Sequence, residues 1–91
     1  MRPRTDVRIQ PFNVRLRVYE TDKLPVDTQA LTKLSAKGVQ VYLRPGTSRE
    51  IRVHESVHAA FLLLDHVGVP STADSHEALA YLVGYISGLV D

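Results

Sequence analysis

Apolar residues first alternate with polar ones along this chain and later recur at helical spacing. From Val7 to Tyr19 the period is two: Phe12, Val14, Leu16 and Val18 share one side, and Asn13, Arg15, Arg17 and Tyr19 the other. That is the pattern of a half-buried strand. Val7 and Ile9 fall in the opposite phase, and Pro11 between the two segments predicts a bulge or strand break. Asp27 to Lys37 reads as a short helix, with Asp27 as N-cap, Ala30, Leu31 and Leu34 at helical spacing, and Gly38 as the stop. Val39, Val41 and Leu43 then alternate with Gln40, Tyr42 and Arg44 as a second strand, closed by Pro45-Gly46.

Thr47 and Glu50 stand three apart as a capping box, so a long helix should start there. It carries Ile51, Val57, Ala60, Phe61 and Leu64 on broad apolar faces and stops at Gly68, with Pro70 just beyond. A further helix begins near Thr72 to Ser75 and runs to Leu89, with Leu79, Leu82, Val83, Ile86 and Leu89 as its stripe. The order of elements predicts an α+β fold: a small antiparallel sheet packed by two long helices. At 91 residues the chain is expected to form one domain over residues 1–91, with residues 1–6 a loose basic tail.

Composition narrows the function classes. With 44% apolar and 23% charged residues, the chain has the balance of a globular protein rather than a disordered one. A formal net charge of +1 gives the molecule as a whole no strong attraction to nucleic acid or membrane. The charge is uneven, however. Arg2, Arg4, Arg8, Arg15 and Arg17 crowd the first seventeen residues against the single acid Asp6. The plain reading is a solvated strand face; a patch for nucleic acid or an acidic partner is the alternative. Cysteine is absent, which excludes disulfides and every Cys-containing zinc set and fits a reducing compartment. The N-terminus lacks the apolar core of a secretory signal, and no stretch suits a membrane span, so a cytoplasmic protein without a membrane partner is expected. A homodimer is an expectation from small size alone.

The densest chemistry lies at His54-Glu55-Ser56-Val57-His58, which reads H-E-x-x-H inside the predicted long helix. Two histidines four residues apart stand on one helix face, about 6 Å apart, and can bind one tetrahedral zinc ion. The intervening Glu55 is poorly placed to share the metal but can reach a metal-bound water as general base. Two histidines alone hold a metal weakly, and a catalytic zinc takes a third protein ligand. Glu77 follows His58 with eighteen residues between them, in the first turns of the final helix.

At this point the sequence resembles the gluzincin branch of zinc metallopeptidases, whose pattern is H-E-x-x-H, about eighteen residues, then Glu. The resemblance runs from about Thr47 to Tyr85, under half the chain, and small single-domain gluzincins of about this length exist. It implies a minimal zincin-like fold in which His54, His58 and Glu77 ligate zinc and Glu55 is the base. It further implies a peptide or protein substrate lying extended along an edge strand, with Val39 to Leu43 the candidate. The related metzincin spacing is excluded, because Phe61 and Leu64 occupy the positions where that branch requires glycine and histidine. Geometry adds a condition. A tight helical hairpin would leave Glu77 about 10 Å short of the metal, whereas an extended Gly68–Asp74 connection, spanning about 20 Å, could bring it back.

The neighbouring residues keep their alternatives. Tyr81, one turn after Glu77, or Tyr85 could donate to a developing oxyanion, or simply pack with a hydroxyl at the rim. His76 is the rival third ligand, and Asp65 could orient a ligand, while His66 and Asp65 suit a helix end facing solvent. The expected function is zinc-dependent peptide-bond hydrolysis. Its rivals are a non-catalytic zinc-stapled fold and a metal-free module that binds through the Arg-rich first strand.

Overall fold

In a computed structural model, which describes residues 1–70, 72 and 75–91, the chain is an α+β fold of four strands followed by two helices. The strands are β1 (Thr5–Ile9), β2 (Val14–Glu20), β3 (Ala30–Ser35) and β4 (Gly38–Leu43); the helices are α1 (Arg49–His66) and α2 (His76–Val90). The sheet order is β1-β2-β4-β3. β1 pairs antiparallel with β2 and β3 with β4, but β2 and β4 run parallel, so the sheet is mixed rather than wholly antiparallel.

The parallel pair follows from the connection after β2. The chain leaves Glu20, passes over one empty strand position, descends as β3 at the far edge and returns as β4 into the gap. Arg44, just past β4, holds this crossing in place by donating to the carbonyl oxygens of Asp22, Leu24, Pro25 and Thr28 at 2.7–3.1 Å. The helix expected over Asp27–Lys37 is therefore a strand. Its apolar residues fit a period of two as well as helical spacing. Pairing with β4 decides between them, because six residues pair along it and Ala30 and Leu34 pack against the core. Asp27, expected as an N-cap, sits instead at φ +69 in the connection. A second correction follows: Val39–Leu43 is not an edge strand but lies between β2 and β3, and the edge beside it is β3.

Residues 1–6 are not simply a loose tail, since Thr5 and Asp6 pair in β1 with Val18 and Arg17. Arg4 is pinned as well, donating to Glu20 Oε1 at 2.6 Å and to the Leu89 carbonyl at 2.8 Å. The break at Pro11 is a turn over residues 10–13, with a cis Gln10–Pro11 bond and Asn13 at φ +54.

The cap of α1 lies one residue beyond the expected Thr47. Ser48 accepts from the Ile51 amide at 3.3 Å, while buried Thr47 donates its hydroxyl to the Arg44 carbonyl at 2.6 Å. The helix ends at His66 with Gly68 at φ +80. The Gly68 amide donates to Asp65 O and the Val69 amide to Leu64 O, a Schellman closure that only a residue tolerant of positive φ completes without strain. The start expected for α2 spans Ala73 and Asp74, which lie outside the described residues; the helix itself begins at His76.

Both helices cover the same face of the sheet. Leu16, Val18, Val39, Val41 and Leu43 from the strands meet Ala59, Ala60, Leu63, Leu64, Leu82, Ile86 and Val90 from the helices, all fully or almost fully buried. Each large aliphatic side chain in that layer contributes about 1.5–3 kcal/mol. The helices are antiparallel, and arginines lock their ends. Arg52 in the first turn of α1 donates to the Val90 carbonyl at 2.8 Å, and with Arg4 it covers the negative end of α2. Among the described residues no helix is long and apolar enough to cross a membrane.

Candidate metal and peptide site

His54, Glu55 and His58 lie in the middle of α1, and the helix divides their roles. Positions 55, 56, 59, 60, 63 and 64 are buried, so Glu55 turns inward while His54 and His58 stay exposed on the flank. Burying a carboxylate is costly without a partner, and the edge strand supplies one: Thr32 Oγ1 donates to Glu55 Oε1 at 2.7 Å. Glu55 is 8% exposed. Thr32 is the partner of Glu55 that the sequence did not reveal, because it lay within the expected helix. The signal was present in the alternation of Ala30, Thr32 and Leu34 on one side of a strand.

The two imidazoles converge. Their Nε2 atoms are 3.0 Å apart and their ring planes cross at 76°. In a tetrahedral zinc site with bonds of roughly 2.0–2.1 Å, two nitrogen ligands stand about 3.3 Å apart, so the pair needs to open by only a few tenths of an ångström. Without a metal the same contact is an N–H···N hydrogen bond, one ring donating and the other accepting. His58 and Glu55 share a cleft of ≈ 390 Å³ between α1 and the edge strand, where Ala30, Leu31, Thr32 and Leu62 complete the lining. Among the described residues no strand pairs with the outer edge of β3, which runs past His58 along this cleft.

The third ligand is not with them. Among the described residues, no three His, Cys, Asp or Glu side chains converge on a point that could hold a metal ion. The Arg52–Val90 contact explains why. Counting along two antiparallel helices from that anchor puts His58 about 9 Å from it and Glu77 about 20 Å, an axial gap of about 10 Å. This is the shortfall expected of a tight hairpin. The donors present therefore match two of the three ligands of a catalytic zinc, and Glu77, exposed in the first turn of α2, does not complete the set in this arrangement.

The remaining candidates also stand apart. Tyr81 and Tyr85 are exposed on α2 and stack on each other with centroids 6.0 Å apart, and neither lines the cleft. His76, the rival third ligand, shares the exposed first turn of α2 with Glu77, while Asp65 and His66 are exposed at the end of α1. Arg2 is exposed, whereas Arg8, Arg15 and Arg17 stand on the outer face of the sheet, away from the helices. Comparison with protein-family models, with curated proteins and with solved structures returned no match.

Proposed function

We propose that the chain is a zinc-dependent peptide-bond hydrolase, with His54 and His58 as two metal ligands, Glu77 as the third and Glu55 as the proton-handling carboxylate. The observation that carries this reading is the 3.0 Å approach of two imidazole nitrogens beside a buried glutamate, in a cleft that runs along a free strand edge. Zinc, when bound, would polarise a carbonyl and lower the pKa of a coordinated water. The chain's own contributions are separate from that. Thr32 fixes one oxygen of Glu55 and so sets the direction of the other, which takes and returns the proton. The β3 edge holds the peptide extended, and Leu31 and Leu62 give its side chains an apolar wall. The reading requires the Glu77 carboxylate to close the gap of about 10 Å when zinc binds. A cytoplasmic setting belongs to the same proposal, supported by a cysteine-free sequence.

The test is elemental analysis and peptide hydrolysis on untagged protein. Wild type should carry one zinc per chain; Glu77→Gln should lose most of it; Glu55→Gln should keep the zinc and lose hydrolysis. Cleavage by Glu55→Gln at the wild-type rate would refute the catalytic role. Zinc retained at full stoichiometry by Glu77→Gln would refute the ligand set.

A further inference from the structure

A second cleft, of ≈ 580 Å³, opens at the C-terminal end of α1, where the β1–β2 turn and the β3–β4 turn meet it. Its walls carry Arg8, Arg15, Arg17 and Lys37, with two rings, His66 and Phe12, the latter half-buried against the core with the rest of its face open to the cleft. It shares no lining residue with the histidine cleft.

The charges in this cleft are unbalanced. Antiparallel pairing puts Arg8 directly opposite Arg15, a like-charge pair that disfavours the sheet unless something negative intervenes. The local carboxylate is Asp6, and it is already committed. Its two oxygens accept from Arg15 Nε and Nη2 at 2.8 and 2.7 Å, and Arg17 Nε approaches to 3.6 Å. Among the described residues Arg8 and Lys37 have no carboxylate partner; Arg8 donates only to the Asn13 carbonyl, at 3.3 Å. Four cations thus stand near one acid, which pairs with Arg15 and Arg17 only. A positive cleft of that kind, short of counter-charge, attracts phosphate.

The cleft continues onto the outer face of the sheet, which the helices leave bare. Tyr19 and Tyr42 stack across the parallel strands at 4.9 Å and 10°, and the Lys33 ammonium stands 5.2 Å from the Tyr42 ring centroid. Cations and aromatic rings therefore lie side by side on one surface. An acidic peptide would match the charges and leave the rings unused. A duplex presents phosphates but keeps its base faces covered. A single strand offers both phosphates and free base faces.

We infer that this basic cleft and the adjoining outer sheet face bind single-stranded nucleic acid, with backbone phosphates on Arg8, Arg15, Arg17 and Lys37 and bases against Phe12 and the Tyr19–Tyr42 pair. The surface reads phosphate and base plane, not sugar, so DNA and RNA strands bind alike. This binding is independent of the histidine cleft.

The test is fluorescence anisotropy of the full chain with oligothymidylate and oligouridylate of about fifteen nucleotides. Four phosphate contacts predict a slope of log affinity against log salt near −2.8, a loss of about 50-fold between about 50 and 200 mM salt. The double variant Arg8→Ala/Lys37→Ala should flatten the slope by about 1.4 and weaken binding at least tenfold at low salt. Phe12→Leu, which keeps apolar bulk, should weaken binding about tenfold and leave the slope unchanged. Circular dichroism spectra of wild-type shape, with a cooperative melt well above the assay temperature, guard against unfolding in both variants. The proposal is overturned by no binding at protein concentrations of about 10⁻⁴ M in low salt. It is equally overturned by binding indifferent to Arg8 and Lys37, or by oligoglutamate of equal length competing as well as oligothymidylate.

Discussion

Helix α1 overlooks two clefts that rest on the same sheet and treat their polar groups in opposite ways. In the histidine cleft every group named has a partner: Glu55 accepts from Thr32, and His54 meets His58. In the basic cleft two arginines share one carboxylate, a third faces a like charge, and Lys37 has no acid among the described residues. A satisfied site is shaped before its ligand arrives and can align a reaction. An unsatisfied one is a demand for counter-charge and draws a ligand in. The difference also says how each should respond when broken. The first should fail through lost hydrogen bonding, and the second should gain stability as it loses its ligand.

The largest expected effect comes from the floor of the basic cleft. Gly38 opens β4 at φ +111, and a Cβ there would collide with the Arg15 carbonyl oxygen. Gly38→Ala should cost about 3 kcal/mol or more in urea unfolding, because backbone strain and a clash with backbone add together. Gly46 provides the control: it too has positive φ, at +79, but open space around its missing Cβ. Gly46→Ala should cost about 1 kcal/mol, the price of strain alone. Equal losses at the two positions would mean that the close approach of Arg15 is not what restricts Gly38.

Next in size is the hydrogen bond that orients Glu55. Thr32→Val keeps the side-chain volume and leaves a buried carboxylate without its hydroxyl donor, an expected cost of about 1–3 kcal/mol. The cost should shrink in the Glu55→Leu background, where no carboxylate waits for a donor, and a double-mutant cycle measures the coupling. Oligonucleotide binding by Thr32→Val should equal that of wild type. A cycle that shows no coupling would mean that Thr32 does not hold Glu55 in solution.

The contrast between the clefts also marks how much the sequence disclosed. Alternation at Val14, Leu16 and Val18, the start of α1 to within one residue and its stop at Gly68 were legible because local chemistry dictates those elements, although the cap itself is Ser48 and not Thr47. The H-E-x-x-H pair was legible for the same reason, since helix geometry fixes its spacing. β3 was not. Its apolar residues suit two periods, and what decides between them is pairing with β4 together with the grip of Arg44 on the preceding connection. Losing β3 hid Thr32 and assigned the free edge to the wrong strand. Glu77 shows the same limit from the other side, because its spacing from His58 matches a motif while the Arg52–Val90 lock fixes how far apart the helices hold it. The basic cleft, too, exists only once the register sets Arg8 against Arg15 and the β3–β4 turn brings in Lys37.

Relief of that opposed pair is the third test. Arg8→Gln removes one like charge facing Arg15 and should stabilise the fold by about 0.2–1 kcal/mol while weakening oligonucleotide binding. The two readouts move in opposite directions, which a merely structural arginine would not produce. A loss of stability in Arg8→Gln would show instead that its bond to the Asn13 carbonyl outweighs the repulsion.

The smallest effect concerns Asp6 and its dependence on pH. The guanidinium of Arg15, through paired hydrogen bonds, holds the Asp6 carboxyl below the ordinary carboxylate range, with Arg17 adding to the same pull. A carboxyl with a depressed folded-state pKa contributes stability at every pH above its unfolded value, about 3.9, and loses that contribution as pH falls through the lower folded value. The pair is solvent-facing, so the contribution is small. Asp6→Asn should therefore unfold at a slightly lower urea midpoint than wild type at neutral pH, and the two should converge below about pH 4. Other carboxylates titrate in the same window, which is why the difference between the two proteins, and not either curve alone, carries the information. The same variant releases Arg15 and Arg17 from their acid, so at neutral pH it should bind oligothymidylate more tightly than wild type while being less stable. A midpoint deficit that persists unchanged to low pH would mean that Asp6 acts through packing rather than charge.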